Sequence, residues 1–524
     1  MMVRAFKADE APATFAPECA TVSLSELDAG PRRLDAEVYL SEGYTARAAL
    51  ERSGLSLSPL SELASIWQPG RLKGIQVSRD DGMPYLAATQ IFDIWPTPRK
   101  WLAPGKTRNL SQLLVEPGCI LVTRSGTVGN PIIAYAPHED RIISDDLLRV
   151  ELDAPMRHYV YAFLRTWYGR AMMRASQYGN VIKHLEVGHL AEIPVPAMAG
   201  MIEGVSTEIQ GIFEKRDMAY GLDAHAQEML SDALPGVRTP PPEVGFSVYA
   251  SRLSSGRRRV DGYAHTPPAL AVSRVVEAGP HVQLAHVANL ILPSRFTRTY
   301  TAKGTPLFGS EDIFKINPEI TKFLAPAMSI DLAEYTVEAG WILMARSGQI
   351  YGINGSTVLA TEWHEAGAIS EHVIRIVPND EVRSGYLQAV LSHPEYGQPL
   401  ILSRAFGTSI PELAPEDIAE IPIPRLDQKL ENDIADAVEE ASRLRMEADK
   451  SENGIVAKLE DAIDEKVGKL RPDANETAFR VMLEATGQAP KTVPPHLRGE
   501  DDRNQEAVTR GKKGGRPKRE ASGS

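Results

Sequence analysis

Much of this chain is written twice, and that duplication limits its architecture more than any other feature. Val22, Ser25, Leu27, Gly30, Arg33 and Asp35 recur in order as Val248, Ser251, Leu253, Gly256, Arg259 and Asp261. Leu60, Ala64, Pro69 and Arg71 return as Leu284, Ala288, Pro293 and Arg295. MPYLAATQIFDIWPTPRKWLAP from Met83 aligns with TPLFGSEDIFKINPEITKFLAP from Thr305, and VEPGCILVTRSGTVGN from Val115 with VEAGWILMARSGQIYG from Val337. Ser144 and Arg149 match Ser370 and Arg375, and YGNVIKHLEVGHLAEIPVP from Tyr178 matches FGTSIPELAPEDIAEIPIP from Phe406. The offset drifts by only a few positions, as loop insertions between fixed elements produce.

A helical stretch follows each copy. Ile202, Val205, Ile209, Ile212, Arg216 and Ala219 step by three and four, as do Leu430, Ile434, Ala437, Ala441, Leu444 and Ala448. This is a heptad-like seam with one polar interruption, Arg216. The second helix is expected to pause at Gly454 and resume with Ile455, Leu459, Ile463 and Val467. GVRTPPPEV joins the first helix to the second copy as a proline-rich linker. The chain therefore divides into an arm (1–19), a first domain (20–198), a first helix (199–235), a linker (236–246), a second domain (247–425), a second helix (426–470) and an extension (471–524). The extension ends in the basic, glycine-rich RGKKGGRPKREASGS, expected to be disordered.

The formal net charge of −12 argues against a simple basic coat for nucleic acid, although a single basic face can sit on an acidic body. Two cysteines far apart, Cys19 and Cys119, give neither a disulfide framework nor a cysteine zinc site, and fit a reducing compartment. With no apolar leader and no apolar run near ~18 residues, neither a signal peptide nor a membrane span is expected, and the protein is assigned to the cytoplasm.

The order domain–helix–domain–helix, the strand-turn blocks ILVTRSGTVGN and ILMARSGQIYG, and the two endings AEIPVP and AEIPIP resemble the specificity subunits of type I restriction-modification systems over about residues 20 to 470. The resemblance implies an α+β fold with two repeated target-recognition domains built on mixed β-sheets. It implies that each domain reads one half of a bipartite sequence in double-stranded DNA, and that the spacer helices pair as an antiparallel coiled coil. The partners it implies are two methyltransferase subunits, docked on the helices, and a motor-nuclease restriction subunit. The chain itself would do no chemistry and hold no cofactor or metal, S-adenosylmethionine being used by the methyltransferase.

Candidate DNA-contacting residues follow from residue type and place. Arg124, Ser125 and Thr127 lie in a glycine turn after an apolar strand, and Arg346, Ser347 and Gln349 repeat it. Such a turn can bring backbone N–H groups and an arginine to phosphate, or the arginine can bridge within the domain. Being shared, it is not expected to read bases. Arg99, Lys100, Trp101, Lys106 and Arg108 are read as a basic-aromatic loop in the first copy, and Thr297, Arg298, Tyr300 and Lys303 as one in the second. The alternative for both is a solvated loop. Gln177, Asn180, Lys183 and His184 precede the closing block of the first copy, where the second has Arg404, Thr408 and Ser409; satisfied loop hydrogen bonds are the rival reading. GGRPKR around Arg516 resembles a partial AT-hook, or is a solvated basic tail.

Asp145 and Asp146 lack the further carboxylates and lysine of a magnesium nuclease, and read as exposed or capping residues. No P-loop, no Asn-Pro-Pro-Tyr-like tetrapeptide, no nucleophile elbow and no HExxH helix occurs. Two other classes stay open: a scaffold of another DNA-targeting defence complex without base readout, and a self-contained nuclease or methyltransferase with unfamiliar motifs.

Overall fold

The computed structural model describes residues 39–175, 184–234, 236, 245–253, 258–326 and 331–471, with the side chains at 252 and 303 excepted. The arm, the opening block of the first copy, most of the linker and nearly all of the extension lie outside the described residues. So do Gln177, Asn180, Lys183 and Arg516.

The first half contains helix α1 (Glu42–Arg52), strands β1 (Leu57–Pro59) to β10 (Pro194–Pro196), and a helix pair, α2 (Met156–Arg165) and α3 (Trp167–Ala175). Its main sheet is antiparallel, in the order β2 (Ser65–Trp67), β9 (Leu147–Glu151), β6 (Ile120–Thr123), β7 (Pro131–Ile133). A smaller sheet runs β3 (Gln76–Val77), β5 (Lys100–Leu102), β4 (Met83–Leu86), β8 (Ile142–Ile143), with β4 and β8 parallel. The proline-flanked β1 and β10 form a two-stranded ribbon that ties the start of the half to its end. Prolines suit such an edge, where no ladder hydrogen bond is lost.

The second half follows the same plan. Helix α5 (Pro267–Ala278) leads into the ribbon of β11 (His281–Gln283) and β19 (Pro422–Pro424). The main sheet is β12 (Ala288–Ile291), β18 (Val373–Pro378), β15 (Ile342–Ala345), β16 (Thr357–Leu359). The small sheet is β14 (Phe323–Leu324), β13 (Tyr300–Phe308), β17 (Ala368–Ile369), with β13 and β17 parallel. Helices α6 (Ser384–Ser392) and α7 (Gly397–Leu402) take the places of α2 and α3.

Internal hydrogen bonds repeat as well. The guanidinium of Arg149 is buried and donates to the carbonyls of Ser144 (3.0 Å), Leu147 (2.6 Å) and Ile143 (3.3 Å). Arg375, equally buried, donates to Ser370 (3.0 Å), Val373 and Ile369 (2.6 Å), the repeat-related carbonyls. Burial draws both guanidinium pKa values down to about 10, so each stays charged at neutral pH. Tyr159 donates to Pro196 O at 2.5 Å, and Tyr386 to Pro424 O at 2.7 Å.

Two long helices join the halves, α4 (Ile202–Ala233) and α8 (Gln428–Val467). Asp427 caps α8 by accepting from Lys429 N at 3.0 Å, and Gly468, at φ 80°, ends it. The ion pairs Glu208–Lys458, Lys215–Glu447, Arg216–Asp449 and Asp223–Arg445 link them; from Glu208 to Asp223 the partners move back from Lys458 to Arg445, so the helices run antiparallel. Val205, Ile209 and Ile212 of α4 share the first half's core with Ile455, Leu459 and Ile463 of α8. Ala226 and Leu230 share the second half's core with Ile434, Ala437 and Val438. Each helix thus begins on its own half and ends on the other.

The pause expected at Gly454 does not occur, because α8 is continuous there. A helical glycine costs about 1 kcal/mol. Burying Ile455, Leu459 and Ile463, each contributing about 1.5–3 kcal/mol, outweighs it.

Arg216, the polar interruption in the seam, is 2% exposed and donates to Glu452 and Asp449, both at 2.6 Å. Glu452 also accepts from Tyr161 and from Asn317 Nδ2 (2.7 Å), and lies 3.4 Å from Arg165. Glu452→Ala leaves two buried arginines short of their partner and is expected to destabilise the fold by about 3–5 kcal/mol. Chemical denaturation of the full chain reads this as a lower midpoint. An Arg216→Met, Glu452→Met double variant should recover only part of the loss, because Arg165 still lacks Glu452 and Asp449 loses Arg216.

Candidate nucleic-acid interface

In the first half the segments 70–79 and 99–108 lie side by side on the small sheet. Gln76 and Val77 pair with Leu102 and Trp101, Ala103 N donates to Ile75 O at 2.9 Å, and Arg108 N to Lys73 O at 3.0 Å. The approach is tight. A Cβ at Gly82 would meet Val77 Cγ2 at 2.6 Å and Trp101 Cβ at 2.8 Å, so the turn into β4 needs glycine.

These segments expose Arg71, Lys73, Arg79, Arg99, Lys100, Lys106 and Arg108. Among the described residues none of the seven forms an ion pair, whereas Arg216, Arg383, Arg425, Arg443, Arg445 and Arg471 all do. Seven such cations therefore stand together on and beside this small sheet, while other exposed cations without ion pairs among the described residues, such as Arg52, Arg258, Arg274 and Lys429, are scattered over the rest of the chain. The expected basic-aromatic loop is partly strand. Lys100 and Trp101 lie on β5, held by β3 on one side and β4 on the other, while Lys106 ends a short 3-10 turn. Sequence reasoning missed Arg71, Lys73 and Arg79; their signal is the cationic spacing of RLKGIQVSR directly before β4.

The two glycine turns are clasps. Leu185 N donates to Arg124 O at 2.9 Å and, at the related place, Leu413 N to Arg346 O at 2.8 Å. Arg124 pairs with Glu186 (2.5 Å) and Asp146 (3.7 Å), and Arg346 with Glu412 (2.7 Å). Ser125 donates to Asp146, and Ser347 Oγ lies 3.3 Å from His372 Nδ1. Both arginines bridge within their domain, the second of the two readings that the sequence left open. Thr127 is exposed and its carbonyl accepts from Thr123. Asp146 is committed to this clasp, and among the described residues no group of three His, Cys, Asp or Glu could hold a metal ion.

In the second half the turn and the closing loop meet. Gln349 Nε2 donates to Ser409 O at 3.0 Å, Gly348 N to Pro411 O at 3.2 Å, and Asn354 Nδ2 to both Gly348 O and Pro411 O. Around this junction Tyr351, Phe406, Thr408, Ser409 and Ile410 are exposed. Arg404 is not part of that surface: its guanidinium turns back onto Leu400 O (3.1 Å) and Ser403 Oγ (2.9 Å). Thr297 is exposed. Arg298 is held by Glu371 at 2.5 Å and lies over the Phe296 ring, so it too is internally paired. Tyr300 and Lys303 stand on β13, correcting the loop expected there. His184 is half-buried, and its Nδ1 has no hydrogen-bond partner among the described residues.

The fold and surface define a two-headed α+β protein, one head carrying a cluster of seven cations without ion pairs among the described residues, and the other an exposed aromatic and hydroxyl tip. No protein-family model matches the chain, and no curated protein is similar to it in sequence. It is similar to solved structures of type I restriction-modification proteins. The S subunit from M. genitalium is 15% identical, with 80% of this chain and 97% of that one covered and a TM-score of 0.29. The HsdS subunit from Thermoanaerobacter tengcongensis is 14% identical over 80% and 97%, with a TM-score of 0.24. A structure described as the basis of complex assembly and conformational transition of the type I R-M system is 13% identical over 80% and 98%, with a TM-score of 0.26. Among the described residues no helix is long and apolar enough to cross a membrane.

The clasp makes a testable demand. Glu412 holds both Arg346 and Arg295. Glu412→Ala removes the Arg346 bond, contributing about 1.5–3 kcal/mol, and the exposed Arg295 pair, contributing under about 1 kcal/mol. Hydrogen exchange at 346–349 and 406–413 should accelerate on the order of tenfold or more, while α4 and α8 keep their protection.

Proposed function

We propose that this chain is the DNA-specificity subunit of a type I restriction-modification complex. Each half reads one part of a split double-stranded target, and the antiparallel helices act as a coiled-coil spacer. Two methyltransferase subunits dock on the spacer and supply the S-adenosylmethionine chemistry, and a motor-nuclease subunit adds cleavage. The chain is a non-catalytic cytoplasmic component.

The observation that carries this reading is the set of seven unpaired cations on the small sheet of a chain with net charge −12. Unpaired surface cations in an acidic protein suit a polyanion, and lysines and arginines on a sheet edge can hold phosphates while neighbours reach base edges. The duplication supports a two-part target, since two related heads in one chain can diverge to read unlike halves. The spacing is compatible. At ~1.5 Å per residue α8 spans about 60 Å, room for major-groove segments a turn or more apart. In the second half Thr297, Tyr300, Lys303, Gln349, Thr408 and Ser409 are the base-contact candidates, and in the first Gln177, Asn180, Lys183 and His184. Arg516 and its basic neighbours add salt-dependent affinity.

Binding of the full chain, co-expressed with its methyltransferase, to a randomised DNA library tests the reading. A split motif with two fixed parts and an unspecified gap is expected. Absence of any enriched motif at moderate salt would overturn base-specific recognition and favour the scaffold. Turnover by the chain alone would favour a self-contained enzyme. Replacing Lys73, Lys106 and Arg108 with alanine should weaken binding about equally on all sequences. It should also lower the salt slope by roughly one for each phosphate that is no longer neutralised, read from affinity against salt concentration.

A further inference from the structure

The two heads touch each other directly, through equivalent residues. Asp93 and Lys315 hold the same place in the two copies, in IFDI and IFKI. They form an isolated antiparallel bridge. Ile94 N donates to Phe314 O and Ile316 N to Phe92 O, both at 2.8 Å, each bond being the repeat-related image of the other. A contact that maps onto itself in this way lies on the pseudo-twofold axis relating the halves. Lys315 Nζ is 2.6 Å from Asp93 Oδ1 and 2.8 Å from Thr89 O, and both charged side chains are largely buried. Identical residues here would set like charges face to face; Asp and Lys attract instead.

A second contact has no image across the axis. Glu319, two residues past Asn317, sits between Arg170 (2.7 Å) and Arg174 (3.0 Å) of α3. Arg170 also donates to Asn130 Oδ1 at 3.1 Å, at the end of the first glycine turn. This clamp therefore runs from a loop of one head to the turn of the other.

We infer that Asp93, Lys315 and the Glu319 clamp form a latch that fixes the separation of the two heads, so that the permitted gap between half-sites is set by head-to-head contact as well as by the helices. This inference rests on the specificity-subunit reading. Its physical content is a mismatch of scales. One base pair more or less moves a half-site by ~3.4 Å along the DNA axis and rotates it. A hydrogen bond tolerates a few tenths of an ångström before weakening. A head cannot follow the altered gap with the latch closed. With the latch open it remains attached to α4 and α8 through its core, and has freedom to adjust.

The test uses the full chain with its methyltransferase, and DNA carrying the wild-type half-sites with the selected gap or one base pair more or fewer. Lys315→Asp sets like charges on the axis, while the exchange Asp93→Lys with Lys315→Asp restores attraction. Wild type should favour one gap. Lys315→Asp should reduce that preference by about tenfold, the factor belonging to ~1.4 kcal/mol, and the exchange should restore it. A fluorophore pair placed on the two heads gives a readout without DNA: its distance distribution should broaden in Lys315→Asp and narrow again in the exchange. A cooperative melt and an unchanged circular dichroism spectrum identify a folded variant, whether or not the midpoint falls. A folded Lys315→Asp that keeps both the gap preference and the distance distribution overturns the latch, as does an exchange that rescues neither. If wild type selects no split motif, the specificity-subunit reading fails, and the distance measurement still decides whether the heads are latched.

Discussion

The structure turns on one buried carboxylate. Glu452, on α8, is reached by three other pieces of the chain: Tyr161 and Arg165 of α2, Arg216 of α4, and Asn317 from a loop of the second half. Burial alone would raise its pKa. The charges of Arg216 and Arg165 outweigh that and hold it down to about 2. Because the folded value lies below the unfolded one, the associated stability is fully present above the ordinary glutamate range and is lost progressively as pH falls from that range through about 2. At neutral pH the junction is charged, and every partner is needed. Such a pair adds little net stability compared with a packed apolar contact, yet breaking it is costly. Its effect is therefore to select one arrangement over its neighbours.

That selection matters because apolar packing is sparse in the middle of the helix pair, where register is set by charged contacts: this junction together with the Asp223–Arg445 and Lys215–Glu447 pairs. Ala219, Ala441 and Leu444 pack there, and small side chains tolerate sliding. A slip of one turn would carry Glu452 away from Arg216 and leave a buried charge alone. It would also move Ile455, Leu459 and Ile463 out of the first core and Ile434 and Val438 out of the second. Register at the centre thus determines how each head sits on the far end of its partner's helix, and the meeting of Asp93 with Lys315 depends on that placement.

The duplication made the framework legible. Repeated blocks mark the paired strands, the ribbon endings and the twin arginines, because a framework must stay alike in both copies to fold alike. The seam of the helices was readable at i, i+3 and i+4, and Arg216 stood out in it. Its partner was readable too: Glu452 continues the second seam between Ala448 and Ile455, and a restart after Gly454 hid it. Pairings between distant segments were not legible. Nothing local joins Arg346 to Glu412, or Glu319 to Arg170, since such pairs depend on tertiary approach. The strand at Lys100 and Trp101 was missed because its neighbours, β3 and β4, are not adjacent to it in sequence, and charged residues read locally as loop.

The same contrast bears on how two related heads come to present different chemistry. Arg149 and Arg375 sit in closed cages of carbonyls, where any change leaves buried groups unpaired, so that part of the duplication cannot drift. The small sheets have no such constraint. The first gained β3, with Arg71, Lys73 and Arg79 left free around it. The second has no strand in that place among the described residues, and its related Arg295 is drawn onto Glu412. Its tip instead exposes Tyr351, Phe406 and Ile410. Phosphate contacts fix position and base-edge contacts supply sequence preference. On the proposed reading the first head therefore contributes more of the salt-dependent hold, and the second relies more on shape and apolar or hydroxyl contact. The asymmetry arises both from the extra strand β3 and from which arginines found carboxylates.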